Sequence, residues 1–313
     1  MINTNINKKE KIKWSKKIMI ILLSAISLAT LLWCNFNRKS DNVTKLNNLN
    51  KTLIINTINN QNKILEKYNW NYKGNTVINK FSKAKNILYK IYNKNLWEEY
   101  RKTIYCWCDF VWKKVNKKSC WLITKGYKKR SNRIEREHVV PAENFWRAFK
   151  SWRDGNSKCY SISRKTHKKH YYKWRKCAEK VSPLFNLMEA DIYNLFPADG
   201  ALNAYRSNYQ IAEIPWEKRK FWQCDFEIEN RKVEPPQDKK GDIARVYMYM
   251  QLVYGKNKGL KIISEKNKKL IEVWNKIDPI SKEECEVYYI KKKYEKNINP
   301  ILEVPCKNII WKK

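Results

Sequence analysis

Residues 136–145 read REHVVPAENF, and residues 188–209 read MEADIYNLFPADGALNAYRSNY. In the first stretch Glu137 directly precedes His138, and two β-branched residues follow. Such a run favours a strand, where neighbouring side chains point to opposite faces. Glu137 and His138 can therefore serve one site only if the strand ends or bends at the pair. There a carboxylate could hold a metal beside an imidazole that takes a proton from water; a chance surface pair is the alternative. The other histidines, His167 and His170, lie among lysines, where a phosphate contact suits them better than catalysis. The chain has no H-E-x-x-H, no P-loop, no G-x-G-x-x-G turn and no G-x-S-x-G elbow.

Downstream of the pair, residues 146–180 carry twelve Lys and Arg against Asp154 and Glu179. Trp152, Tyr160, Tyr171, Tyr172 and Trp174 are interleaved among them. Cations neutralise phosphates and aromatic faces stack on bases, so the stretch reads as a polynucleotide groove or as a solvated lysine-rich loop. The whole chain repeats this bias. Its 313 residues include 66 Lys and Arg against 30 Asp and Glu, a net charge of +36. That excess favours a polyanionic partner, nucleic acid first and an anionic membrane second. A hydrophobic share of 43% and an aromatic share of 13% exclude a disordered basic tail.

Periodicity gives the rest of the framework. Phe81, Ala84, Leu88 and Ile91 predict a helix with one apolar face. Residues 102–112 and 119–124 read as short strands or loops. Gly241–Tyr254 predicts a helix stopped by Gly255, and Leu270–Lys276 another halted before Pro279. Ser281 and Glu284 form the S-x-x-E pattern of a capping box. Strands are few and helices dominate the C-terminal third, so the class is α+β.

The N-terminus and the cysteines address compartment. Residues 8–17 hold six lysines and precede the uncharged apolar run Ile18–Cys34, as in a secretory signal or a short membrane anchor. A lipoprotein reading of Cys34 is opposed by bulky Trp33. Eight further cysteines, Cys106, Cys108, Cys120, Cys159, Cys177, Cys224, Cys285 and Cys306, suggest up to four disulfides in an oxidising compartment. Eight cysteines allow on the order of a hundred pairings, and spacing does not choose among them. The organisation expected is residues 1–34 as signal or anchor, 35–75 as an Asn/Lys-rich tether and 76–313 as one folded domain.

REHVVPAENF, RKCAEK (175–180), MEADIYNLFPADGALNAYRSNY, KVEPPQDKKGDIARVYMYM (232–250), EVWNKIDPI (272–280) and KNINP (296–300) occur in this order. Together they resemble the endonuclease I family of bacterial periplasmic and secreted nucleases. The resemblance implies a disulfide-stabilised mixed α/β domain with a ββα-metal (His-Me finger) core. It implies one Mg²⁺, with Mn²⁺ or Ca²⁺ as substitutes, and a monomer that cuts DNA, and also RNA, with little sequence preference. By the same resemblance His138 is the general base, Glu137 and Asn203 are metal ligands, and Arg175 contacts the scissile phosphate. Glu189 is a supporting acidic residue at the catalytic site. Lys165, Lys168, Lys169, Arg175 and Arg206 are expected to meet the nucleic-acid backbone. Three departures concern the site: Arg136 stands where the family commonly has Trp, Trp174 where a Gly is usual, and Tyr205 where an Asp is frequent. An exported nucleic-acid-binding protein without catalysis is the alternative function. It would need neither the Glu137–His138 pair nor the Asn203 block.

Overall fold

The computed structural model describes residues 73–310, apart from residues 147, 217 and 257–259. The signal or anchor segment and nearly all of the tether lie outside the described residues. Among the described residues no helix is long and apolar enough to cross a membrane. The fold reaches back into the last residues assigned to the tether. Asn75 is buried, and its side chain donates to the carbonyls of Ile78 (2.6 Å) and Leu187 (2.8 Å).

In chain order the elements are α1 (Phe81–Lys90), β1 (Phe110–Val111), β2 (Lys114–Val115), β3 (Ile134–His138), α2 (Ala142–Trp146) and α3 (Lys150–Arg153). Next come β4 (Tyr160–Ile162), β5 (Lys169–Tyr171), α4 (Trp174–Val181), α5 (Pro183–Glu189), β6 (Leu195–Asp199) and α6 (Gly200–Arg206). Three short strands follow, β7 (Gln210–Ile211), β8 (Glu227–Glu229) and β9 (Lys232–Glu234). The chain closes with α7 (Lys240–Met250), α8 (Glu265–Ile277), α9 (Lys282–Glu295) and α10 (Glu303–Ile310). The class is α+β, as the periodicity predicts.

The pair that positions the site is β3 with β6, antiparallel, with Ile134 opposite Asp199 and His138 opposite Leu195. Among the described residues no third strand joins them, so Pro197 sits in an edge strand, where its missing N–H leaves no ladder bond unmade. Helix α6 follows β6 without a loop, which completes the ββα unit that the resemblance implies. Asp199 makes the junction. Its Oδ1 accepts from the backbone N–H groups of Ala201 (2.9 Å) and Leu202 (3.1 Å), and its Oδ2 from that of Asn132 (3.2 Å). The Oδ1 bonds satisfy free donors of the first helical turn. Gly200 fits here because a Cβ would lie 2.4 Å from the Arg130 carbonyl.

All eight cysteines beyond Cys34 are paired: Cys106 with Cys224, Cys108 with Cys120, Cys159 with Cys177 and Cys285 with Cys306. Two C-terminal expectations need refinement. Helix α7 ends at Met250, and the backbone widens into a π-type turn over Gln251–Lys256 that carries Gly255. Gly255 allows a close approach there, since a Cβ would collide with the Gln251 amide. Ser281 does cap α9, its hydroxyl accepting from the Glu284 N–H at 3.0 Å. Glu284 does not reciprocate, because its carboxylate is taken by buried Arg245 at 2.7 Å.

Candidate active site

β3 stops at the pair the sequence singled out. Beyond His138 the chain turns, held by Asn194, whose side chain accepts from the Val140 N–H (2.7 Å) and donates to the Val140 carbonyl (3.0 Å). At this strand end Glu137 and His138 both line one open cleft of about 600 Å³, together with Phe81, Lys85, Arg175 and Asn203. The bend required of adjacent residues is present.

The imidazole of His138 is oriented by a single bond, Nε2 to the backbone carbonyl of Glu189 at 2.8 Å. A carbonyl oxygen only accepts, so Nε2 carries the proton and Nδ1 keeps its lone pair. One face of the ring lies against Phe81, with centroids 4.9 Å apart. Burial, reinforced by the charges of Arg175 and Arg206, pushes the pKa of His138 down to about 3. The imidazole is thus neutral at physiological pH, with the Nδ1 lone pair unprotonated.

Glu137 is 3% exposed, and burial pushes its pKa up to about 7 against the opposing pull of Arg206 and Tyr105. Both contacts fall on the same oxygen. Tyr105 donates a short hydrogen bond to Oε1, and the Arg206 guanidinium meets Oε1 at 2.9 Å. Oε2 is the atom left for the cleft. Asn203, on α6, donates from Nδ2 to Glu135 Oε2 at 2.9 Å, which leaves Oδ1 as its free ligand atom. Glu135 in turn is gripped by Arg130 and Arg133. Burial alone would raise its pKa, but these arginine bonds outweigh it and hold the carboxyl below its ordinary range.

A carboxylate oxygen and an amide oxygen are hard ligands, suited to Mg²⁺ and poorly suited to thiophilic metals. Among the described residues no group of three or more His, Cys, Asp and Glu could hold an ion by itself. Two such oxygens would supply part of the shell of a hard divalent cation, the rest coming from water or substrate.

Arg175 is the second residue of α4. It forms a short ion pair with buried Glu189, a bond from Nε to Glu179 at 3.1 Å, and a cation–π contact 5.1 Å from the Phe81 centroid. Phe81 thus touches both His138 and Arg175. The residue before Arg175, Trp174, has φ +66°, in the left-handed region where glycine is at ease. Its exposed ring packs edge-to-face on Trp152 at 6.0 Å. Trp174 adopts a conformation that glycine would hold without strain, and Arg175 lines the cleft.

The sequence expectations for the basic residues divide. Lys165, Lys168 and Lys169 are exposed on the β4–β5 hairpin and do not line the cleft. The hairpin is nonetheless fastened to α4 by Cys159–Cys177, two residues from Arg175. Arg206 is a correction. It is 1% exposed, and its donors go to Glu137, Tyr105 and the carbonyls of Val139, Ser207 and Tyr209. So buried a guanidinium presents no face to a phosphate; Arg206 clamps Glu137 from behind. Sequence reading also missed Tyr105, Glu135 and Phe81 as supporting residues. Phe81 was visible only as an apolar helix position, and nothing in the sequence distinguishes Tyr105.

A carboxylate, an amide, an imidazole with a fixed tautomer and an arginine thus line one cleft. The family model for endonuclease I matches residues 47–306. An endonuclease-1 of Buchnera aphidicola from Acyrthosiphon pisum is 34% identical over 190 residues, 59% of this chain and 66% of that protein. An extracellular deoxyribonuclease of Aeromonas hydrophila is 33% identical over 218 residues, covering 67% of this chain and 86% of the relative. A periplasmic deoxyribonuclease of the same species is 31% identical over 218 residues, 67% and 82% respectively. The chain belongs to the endonuclease I family and is a hydrolase of the endonuclease class.

Proposed function

We propose that the protein is an exported, divalent-metal-dependent nuclease that hydrolyses DNA, and also RNA, with little regard to sequence. The hydrogen bond from His138 Nε2 to the Glu189 carbonyl carries this reading, because it leaves Nδ1 as the base. Nδ1 takes the proton of a water as that water attacks phosphorus. Glu137 and Asn203 would hold Mg²⁺, which would stabilise charge on the phosphate oxygens. Arg175 grips the scissile phosphate, and Glu189 positions it by holding its guanidinium over Phe81. The contacts of Lys165, Lys168 and Lys169 are to phosphates, which position a strand without reading its bases. Four disulfides and the relatives' printed compartments, extracellular and periplasmic, support export. The N-terminal segment serves as signal or anchor, and the folded domain acts as a monomer.

The test is plasmid cleavage by purified protein with Mg²⁺, with EDTA, and with Mg²⁺ restored. Cleavage only in the metal arms is expected. Binding without cleavage in any arm would sink the reading and favour the non-catalytic alternative.

A further inference from the structure

Phe81 and Lys85 line the cleft, and the row they begin runs on along the outside of it. Helix α1 presents Phe81, Lys85 and Tyr89 at four-residue steps, so the three share one face. Lys85 Nζ stands 5.0 Å from the Phe81 centroid. Off the helix the row goes on: the Tyr89 ring meets Trp112 at 6.1 Å, and Lys113 Nζ lies 6.0 Å from Tyr89. Rings and cations alternate from the catalytic end outward.

Two side chains of this row are left without a full partner in the fold. Trp112, in the turn between β1 and β2, is 60% exposed and has φ +56°. The positive φ belongs to the two-residue hairpin turn between Val111 and Lys114, but the fold gives so exposed an indole little burial there. Arg136 lines the cleft on one side and a narrow recess beside Tyr89 and Phe110 on the other. Its hydrogen bond goes to the Ile134 carbonyl at 3.4 Å, and no carboxylate among the described residues pairs with it. A half-buried guanidinium without a counter-charge is suited to an incoming anion. The family commonly has Trp at this position, so the cation is a departure of this chain.

We propose that this row is a subsite for an unpaired stretch of the substrate strand. It rests on the nuclease reading above. Arg136 and Lys85 take the phosphate beside the scissile one, and Tyr89 with Trp112 takes a base by stacking. A base offers its whole face only when free of its duplex neighbours. The subsite therefore makes single-stranded or frayed substrate the better ligand.

The experiment is fluorescence anisotropy in EDTA with the full folded domain and a short end-labelled oligonucleotide, single-stranded or annealed to its complement. Trp112→Ala should weaken single-strand binding on the order of tenfold, the size of one base stack, and duplex binding much less. Trp112→Phe should restore most of the difference. Arg136→Gln should make the single-strand log–log salt slope shallower by about 0.7. Equal losses on both oligonucleotides, or none, would overturn the subsite. Binding in EDTA is read without turnover, so the subsite stands even if the protein cuts nothing. Conversely, metal-dependent cleavage by a Trp112→Ala protein of unchanged single-strand affinity would sink the subsite alone.

Discussion

Glu137 and Lys168 are both charged residues of the same domain, and their surroundings could hardly differ more. Glu137 lies on the β3–β6 pair with Tyr105 and Arg206 fixed to one oxygen, and Arg206 is itself anchored to three carbonyls. Lys168 rises on the β4–β5 hairpin, all of whose residues from Arg164 to Tyr171 are exposed. The first region is built so that one atom faces one direction. The second offers charge wherever a flexible side chain can reach. Bond-making chemistry needs the first kind of construction, since misplacement by an ångström is costly. Holding a polyanion of any sequence needs only the second.

The largest expected effect breaks the comparison at its chemical end. His138→Ala should lower kcat by about 10²–10⁴-fold while leaving affinity near that of the parent protein. Single-turnover kinetics with Mg²⁺, beside binding in EDTA, separates the two quantities. Retained kcat would remove His138 from the mechanism.

Arg206→Met comes next and should be read as stability. Removing it strands the buried carboxylate of Glu137, at a cost of about 3–5 kcal/mol for a broken buried pair. Urea unfolding monitored by circular dichroism measures it. A variant of parental stability but weaker DNA binding would return Arg206 to the substrate surface.

Removal of the Cys159–Cys177 bridge by a double Ser substitution should cost about 3 kcal/mol, the value for a loop of this length. It loosens hairpin and α4 together, so KM should rise as well. If unfolding shifts but KM does not, the hairpin contributes no binding.

Lys165→Ala, Lys168→Ala and Lys169→Ala combined should affect neither unfolding nor base preference. The log–log salt slope of duplex binding should become shallower by up to about three units, near 0.9 for each phosphate no longer neutralised. An unchanged slope would make the hairpin solvated surface.

The two regions were also unequally legible. Glu137, His138, Asn203 and Arg175 stood in ordered blocks, and the structure brings all four to one cleft. α1 and α8 were readable because their apolar residues repeat with the helical period. Strands of two or three residues, such as β1, β2 and β7, carry too few positions to show a period of two. Arg206 sits one helical turn after Asn203, and its charge alone does not say which way it faces. Whether that turn looks into the cleft or into the core depends on Tyr105, a hundred residues away in the chain. Cysteine pairing was illegible for the same reason: Cys106 meets Cys224 only through the completed fold.

Trp174 gives the site a temperature dependence of its own. A glycine would hold the left-handed turn at no steric cost, whereas a tryptophan is penalised by about 1–2 kcal/mol. The edge-to-face packing on Trp152 recovers about 0.5–1.5 kcal/mol, so the turn is close to balance. Arg175 follows Trp174 directly and is otherwise held only through its side chain, whereas Glu137 and His138 are fixed by the β3 ladder, so a slackened turn should be felt first at Arg175. Heating should therefore loosen the grip on substrate before it harms proton transfer. KM should climb below the melting transition, with kcat still following its ordinary rise. Trp174→Gly should flatten that climb; a parallel rise in both proteins would place the soft point elsewhere.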